Sequence, residues 1–371
     1  MLDPVSLTQQ LVGLDTRAGN EKSAAGLLAP ILTDAGFSVR TDEPEPGRVN
    51  LVARFGSRTP LTLTGHLDTV PADAAGWSFD PLVGDIKDGR LRGRGSSDMK
   101  AGVACMVAAA THRVATHPAE TDVQLVLTFG EETGCEGAAR LEGLTPSPVL
   151  LVAEPTANRI VLGHKGVLWL RLTAEGRSAH GSRPELGDNA LARLAAAAVR
   201  IHEHQDWPRS ATHGAATVNV GTFHAGVQPN LVPDHAELML DIRTIPGFGS
   251  DDALLAVERL AGPGTGIERV LDLNGVATDP ATALVRDLAD VLRPAEADGR
   301  PEYATYFTDA SVLAQKLDAR AVVIYGPGDP DQAHVTDETC SVAAIPEAAD
   351  AMHRLLAAWS GDRSAVASPS H

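Results

Sequence analysis

Apolar residues recur every three or four positions at Leu7, Leu11 and Leu14, and again at Leu27, Leu28, Ile31 and Leu32, so the first 36 residues predict two amphipathic helices. The pattern then shortens. β-rich runs follow at 49–55 (VNLVARF), 61–66 (LTLTGH), 123–129 (VQLVLTF) and 148–155 (PVLLVAEP), with a helical stretch, MKAGVACMVAAATHRVA, at 99–115. Some of these strands are apolar on both faces, which indicates a sheet buried between helix layers. The class is α/β, with a mixed, mostly parallel sheet between helices.

From about residue 165 the order becomes strand (VLWLRLTAEG), helix (NALARLAAAAVRIHEH), strand (ATVNVGTFHAG), strand (HAELMLDIRTI), helix (DDALLAVERLAG) and a short strand (IERVLDL). This βαββαβ order is that of a ferredoxin-like module. Beyond Asn274 the chain returns to helices and one apolar strand, ARAVVIYGP, before a last helix, PEAADAMHRLLAAW. Residues 165–273 therefore predict a small domain inserted into a larger, discontinuous one made of 1–164 and 274–371. The final SGDRSAVASPSH reads as a frayed tail.

Composition narrows the function. The 371 residues, 43% hydrophobic and 21% charged, are enough for two cores. A formal charge of −17 repels phosphate backbones and argues against nucleic acid. The N-terminus lacks an apolar signal core, and no stretch approaches the ~18 apolar residues of a membrane span, so the expected location is cytoplasmic and off the membrane. Three widely spaced cysteines (Cys105, Cys135, Cys340) suit a reducing compartment rather than a disulfide framework.

The chemistry-bearing residues sit at strand ends or in loops, beside glycines or prolines. His66 and Asp68 lie in LTLTGHLDTVP, and alone such a pair is more often a structural hydrogen bond than a metal site. Asp98 ends a glycine-rich loop in RGRGSSDMKAG, where it could simply cap a helix, although Ser96 or Ser97 would serve equally. Glu131 and Glu132 follow an apolar strand in TFGEETGCEG. Like charges at the mouth of a buried sheet repel unless a cation compensates, whereas in a solvated loop they are ordinary. Glu154 ends an apolar strand at the sheet edge where open α/β folds bind ligands, and His334 lies in a Gly/Pro-rich loop after the last strand. Together His66, Asp98, Glu132, Glu154 and His334 suit two borderline divalent ions such as Zn2+ with one shared carboxylate. Glu131 is left as a carboxylate able to act as general base, and Asp68 can orient His66.

The runs GHLDTVP, GRGSSDMKAG, GEETGCEGA, AEPT, HKG, GRSAHGSRPELGDNA, QPNLVPD, DIR, TDAS and AHVTDE together resemble the dinuclear zinc metallohydrolases that include acetylornithine deacetylase, succinyl-diaminopimelate desuccinylase and glutamate carboxypeptidase. The resemblance runs in order from about residue 5 to 355. It implies two Zn2+ per chain, with Co2+ able to substitute: His66 and Glu154 on one, Glu132 and His334 on the other, Asp98 bridging and Glu131 as base and proton shuttle. It further implies an inserted lid that dimerises, with His180 reaching the substrate carbonyl in the partner's site. Asn230 and Arg243 would engage the substrate's polar end, Arg243 its carboxylate. Thr308, in TYFTDAS, is expected to line the pocket, and the Asp98–Met99 peptide is expected to be cis. The implied reaction is removal of an acyl group from an N-acylated amino acid. The alternative within the family is a metallocarboxypeptidase or dipeptidase, and outside it a non-catalytic binding protein, which intact Glu131 and five intact ligand positions argue against.

Overall fold

The computed structural model describes residues 2–17, 19–292 and 302–359, so the expected tail at 360–371 lies outside the described residues. The chain divides into two compact units. The larger comprises Met1–Gly163, Ala277–Glu302 and Thr308–His371; the smaller comprises His164–Val276 and also Tyr303–Phe307, a short return that the hydrophobic pattern does not announce.

In the larger unit α1 (Pro4–Val12) is started by Asp3, whose carboxylate accepts the N–H groups of Val5 and Ser6, and it buries Leu7, Leu11 and Val12. There follow α2 (Lys22–Asp34), β1 (Ser38–Glu45), β2 (Arg48–Phe55), β3 (Leu61–His66), α3 (Ala101–Thr116), β4 (Val123–Thr128), β5 (Val149–Val152) and β6 (Val161–His164). The smaller unit adds β7 (Gly166–Glu175), α4 (Ala190–Glu203), β8 (Thr217–Ala225), β9 (His235–Thr244), α5 (Ser250–Ala261) and β10 (Thr265–Leu273). The larger unit then resumes with α6 (Ala283–Leu292), α7 (Ala310–Lys316), β11 (Ala321–Ile324) and α8 (Ala344–Ala358).

The large sheet includes, in this order, β1-β2-β4-β3-β5-β11-β6. Its centre, β4-β3-β5-β11, is parallel, and antiparallel pairs flank it. Every residue of β3, β4, β5 and β11 is buried, as both-faces-apolar strands require. The nearly all-buried α3 packs on α1 and α8. No helix among the described residues is long and apolar enough to cross a membrane.

The smaller unit has the sheet order β8-β9-β7-β10, antiparallel throughout, which is the ferredoxin-like arrangement. Alternate residues Leu168, Leu170 and Leu172 on β7 and Leu238, Leu240 and Ile242 on β9 are buried in one apolar cluster with Leu194, Ile201 and Val257 from the two helices. The other sheet face carries Trp169, Arg171, Asp241 and Arg243, all partly exposed.

Candidate active site

Four adjacent parallel strands leave the large sheet at one edge, and each delivers an acid or an imidazole there. His66 is the last residue of β3. Glu131 and Glu132 follow β4 by three and four residues, Glu154 follows β5 by two, and the loop after β11 carries His334. Asp98 comes from the turn before α3. Its neighbourhood is set by close backbone packing: a Cβ on Gly102 would stand 1.9 Å from the carbonyl oxygen of Ala153, so only glycine lets α3 begin against the strand end that presents Glu154. The Asp98–Met99 peptide is cis, as the resemblance implies.

His66 Nε2 is 3.2 Å from Asp98 Oδ1 and 3.9 Å from Glu154 Oε1. His334 Nε2 is 2.8 Å from Glu132 Oε2 and 3.5 Å from Asp98 Oδ2. The two oxygens of Asp98 thus face two different imidazoles. Donor atoms of His66, Glu131 and Glu154 lie within 4.8 Å of one another, and so do those of His66, Asp98 and Glu132. His66, Glu131 and Glu154 are buried, whereas His334 is exposed.

Asp68 divides its work differently from the sequence expectation. His66 Nδ1 meets the main-chain carbonyl of Asp68 at 2.9 Å, while the carboxylate stands 3.6 Å away. A carbonyl only accepts, so neutral His66 carries its proton on Nδ1 and leaves the Nε2 lone pair toward the carboxylates. The Asp68 carboxylate instead accepts the N–H groups of Glu131 and Glu132 at 3.2 and 3.1 Å, and so holds the turn that aims both glutamates.

The electrostatics are those of acids lacking a counter-charge. Burial, and then repulsion from Glu154, Glu132 and Asp309, push the Glu131 carboxyl well above its ordinary range. Burial and neighbouring acids also raise Glu132 and Glu154. Burial opposes a charge on His66, but Glu154, Asp98 and Asp68 outweigh it and hold the ring well above its usual pKa. Glu132 Oε1 is buried with no hydrogen-bond partner among the described residues. An orphaned carboxylate oxygen within a set of imidazole and carboxylate donors fits divalent cations of the zinc type.

Sequence reasoning passed over two supporting acids. Glu338 is fully buried and accepts the N–H groups of Gly95 (2.8 Å), Ser97 (2.8 Å) and Asp98 (3.0 Å), with Arg94 Nη1 at 2.7 Å, so it pins the turn that presents Asp98. Asp309 accepts from the Thr128 hydroxyl at the end of β4, and burial pushes its pKa up to about 6. Its neighbour Thr308 is fully buried, and its hydroxyl accepts the N–H of Ala310, the first residue of α7.

The remaining predicted residues belong to the smaller unit. His180 is exposed, and its Nδ1 accepts the Ser182 N–H at 3.1 Å, so the neutral ring bears its proton on Nε2. Asn230 stands beside it, since Gly181 N–H donates to the Asn230 carbonyl at 2.7 Å. Arg243 on β9 gives its Nε and Nη2 to Asp241 at 2.7 and 3.0 Å, and its Nη1 has no hydrogen bond among the described residues.

A carboxylate and imidazole cluster at the carboxyl edge of an α/β sheet defines a candidate divalent-metal centre, and the family to which the chain belongs makes it that of a metal-dependent hydrolase acting on amide or peptide bonds. The chain belongs to the peptidase family M20/M25/M40, whose profile matches residues 62–358. It is 30% identical over 387 residues to a probable carboxypeptidase of Aspergillus oryzae, covering 95% of this chain and 90% of that protein. It is 30% identical over 335 residues to the acetylornithine deacetylase of Vibrio vulnificus, covering 86% and 87%. Among solved structures it is similar to a dinuclear metal-binding peptidase of the M20 family from Bacillus subtilis, with a TM-score of 0.68, 14% identity, and coverage of 95% and 96%.

Proposed function

We propose that the protein removes the acyl group from an N-acylated amino acid, using two zinc ions. The observation that carries this reading is the Asp98 carboxylate with one oxygen toward His66 and the other toward His334, next to an orphaned Glu132 oxygen. His66 and Glu154 would hold one ion, Glu132 and His334 the other, and Asp98 both. Bound there, the ions would acidify an attacking water and polarise the scissile carbonyl.

The chain's own residues supply the proton traffic. Glu131, its backbone fixed by Asp68, takes a proton from the attacking water and returns it to the nitrogen of the leaving amine. His180 donates from Nε2–H to the developing oxyanion, the tautomer that its contact with the Ser182 N–H favours. Asn230 and the open Nη1 edge of Arg243 bind the polar end of the substrate. Residues 1–164 and 274–371 form the catalytic domain in this reading. Residues 165–273 act as a lid through which two cytoplasmic chains pair, which sedimentation at assay concentration checks: a monomer that retains full activity refutes the pairing.

Relatives named both as acetylornithine deacetylases and as succinyl-diaminopimelate desuccinylases support deacylation, and the equally identical probable carboxypeptidase keeps cleavage of a C-terminal residue as the second reading. A panel of N-acetyl and N-succinyl amino acids and dipeptides, assayed with zinc-loaded enzyme, separates them. Deacylation is expected to dominate; faster cleavage of the dipeptides would overturn that choice.

A further inference from the structure

The loop that carries His334 follows β11 and runs to Thr339, and two buried hydroxyls fasten it. Ser97 is only 1% exposed. Its hydroxyl accepts the Asp329 N–H at 3.1 Å and donates to the Thr339 carbonyl at 3.0 Å, so one side chain, directly before Asp98, closes both ends of residues 329–339. Its own N–H donates to Glu338 at 2.8 Å. On the other side the hydroxyl of Thr156, a buried residue two positions after Glu154, accepts the Gly326 N–H at 3.1 Å and donates to the Gly326 carbonyl at 3.3 Å. Between these fastenings the backbone at Gly328 passes so close that a Cβ there would stand 2.2 Å from the Ser97 carbonyl oxygen.

What the fastening opposes is visible at His334 itself. Its φ is 63°, in the left-handed region that a residue with a Cβ seldom occupies, and Asp337 three positions on has a φ of 60°. The His334 side chain is 55% exposed, so packing around the ring does little to fix it. Backbone of this kind persists where the structure around it over-determines it. Here the constraint comes from the hydrogen bonds at the two ends of the loop. The result is a ring whose Nε2 stands 2.8 Å from Glu132 and 3.5 Å from Asp98.

We infer that Ser97 and Thr156 are positioning residues: their hydroxyls hold residues 326–339 so that His334 faces Glu132 and Asp98, and through that loop they set how tightly one of the two ions binds. This rests on the two-ion reading, in which Glu132 and His334 hold one ion and His66 and Glu154 the other. His66 ends β3 and takes its ring orientation from the Asp68 carbonyl, in a part of the site tied down by other bonds. Removing either hydroxyl therefore loosens the His334 ion and spares its neighbour.

The test titrates Co2+ calorimetrically into the full chain after chelation, for wild type, Ser97→Ala, Thr156→Val and Thr156→Ser, with His334→Ala as reference. The wild type is expected to bind two ions. In Ser97→Ala and Thr156→Val one of them, the ion that His334→Ala also loses, is expected to bind about 10–100-fold more weakly, the range for residues that support a metal ligand. The other ion is expected to bind as in the wild type, and Thr156→Ser, which keeps the hydroxyl, to recover the lost affinity. Hydrogen exchange of the metal-free proteins reads the loop without any ion: amides within 326–339 are expected to exchange about tenfold faster in both hydroxyl-free variants, with β3 and β5 unchanged. Equal weakening of both ions, wild-type binding in either hydroxyl-free variant, or faster exchange spread over the whole sheet overturns the inference, as does a Thr156→Ser that recovers nothing. Should the wild type bind a single ion, the two-ion reading fails, while the exchange experiment still decides whether the hydroxyls hold the loop.

Discussion

Glu338 and Glu132 both border the turn that presents Asp98, and both side chains are at least nine-tenths buried, yet the chain treats them in opposite ways. Around Glu338 it places three backbone N–H groups and the Arg94 guanidinium, so that every oxygen is used. Burial still pushes the Glu338 pKa up, and the amides and Arg94 pull it back. Around Glu132 it places further acids and one solvent-exposed imidazole, and one oxygen is left with nothing. A buried carboxylate that the protein satisfies is part of the scaffold. One that it leaves unsatisfied among other acids is waiting for a positive charge from outside.

The largest expected effect comes from the unsatisfied side. Glu131→Gln removes the proton carrier while keeping the shape, and kcat is expected to drop by roughly 10²–10⁴-fold. Elemental analysis should still find two ions per chain. A variant that loses both activity and one ion would make Glu131 a ligand, which its proximity to His66 and Glu154 makes a specific alternative. Chelation of the wild type should abolish hydrolysis outright, with far-UV circular dichroism unchanged, because the sheet has its own apolar core.

On the satisfied side the damage falls on folding. Glu338→Ala strips the acceptor from three N–H groups and leaves the buried Arg94 unpaired, and breaking such a pair costs about 3–5 kcal/mol. Urea titration of metal-loaded protein is expected to show a loss of that size. A loss below about 1 kcal/mol would mean that water replaces the carboxylate, and the contrast between the two glutamates would collapse.

The same contrast explains which parts of the molecule were legible in the sequence. Parallel strands apolar on both faces can be read from their composition. An acid directly after such a strand, next to glycine, has to emerge at the sheet edge, which is why His66, Glu131, Glu132 and Glu154 could be grouped before any coordinates. Glu338 was not legible, because an acid that collects backbone N–H groups and an acid in solvent look alike in a Gly/Pro-rich loop. Thr308 was not decided by the sequence either: in TYFTDAS a hydroxyl next to Asp309 can serve substrate or backbone, and only the structure shows it accepting the N–H of Ala310.

Glu21 supplies the smallest and most discriminating test, since it is buried and unsatisfied without belonging to the acid cluster. Among the described residues neither of its oxygens has a hydrogen-bond partner, and the cation paired with it, Arg48, is 3.9 Å away and already bonded to Glu136. Burial, helped by Asp68, raises its pKa from 4.5 to about 7. The folded state therefore binds more protons than the unfolded state between those values, so this contribution to stability is complete below about pH 4.5 and is lost as pH rises toward and through 7. Glu21→Gln imitates the protonated form at every pH. Its Tm should match the wild type near pH 5 and exceed it by a few degrees at pH 8, at roughly 2–4 °C for each kcal/mol relieved. Measuring the difference between variant and wild type, with zinc present, cancels the titration of the shared acids. A Gln variant less stable by the same amount at both pH values would show Glu21 to be a charged partner of Arg48, and an unsatisfied carboxylate would then no longer be enough to separate a cation-seeking site from a poorly paired scaffold.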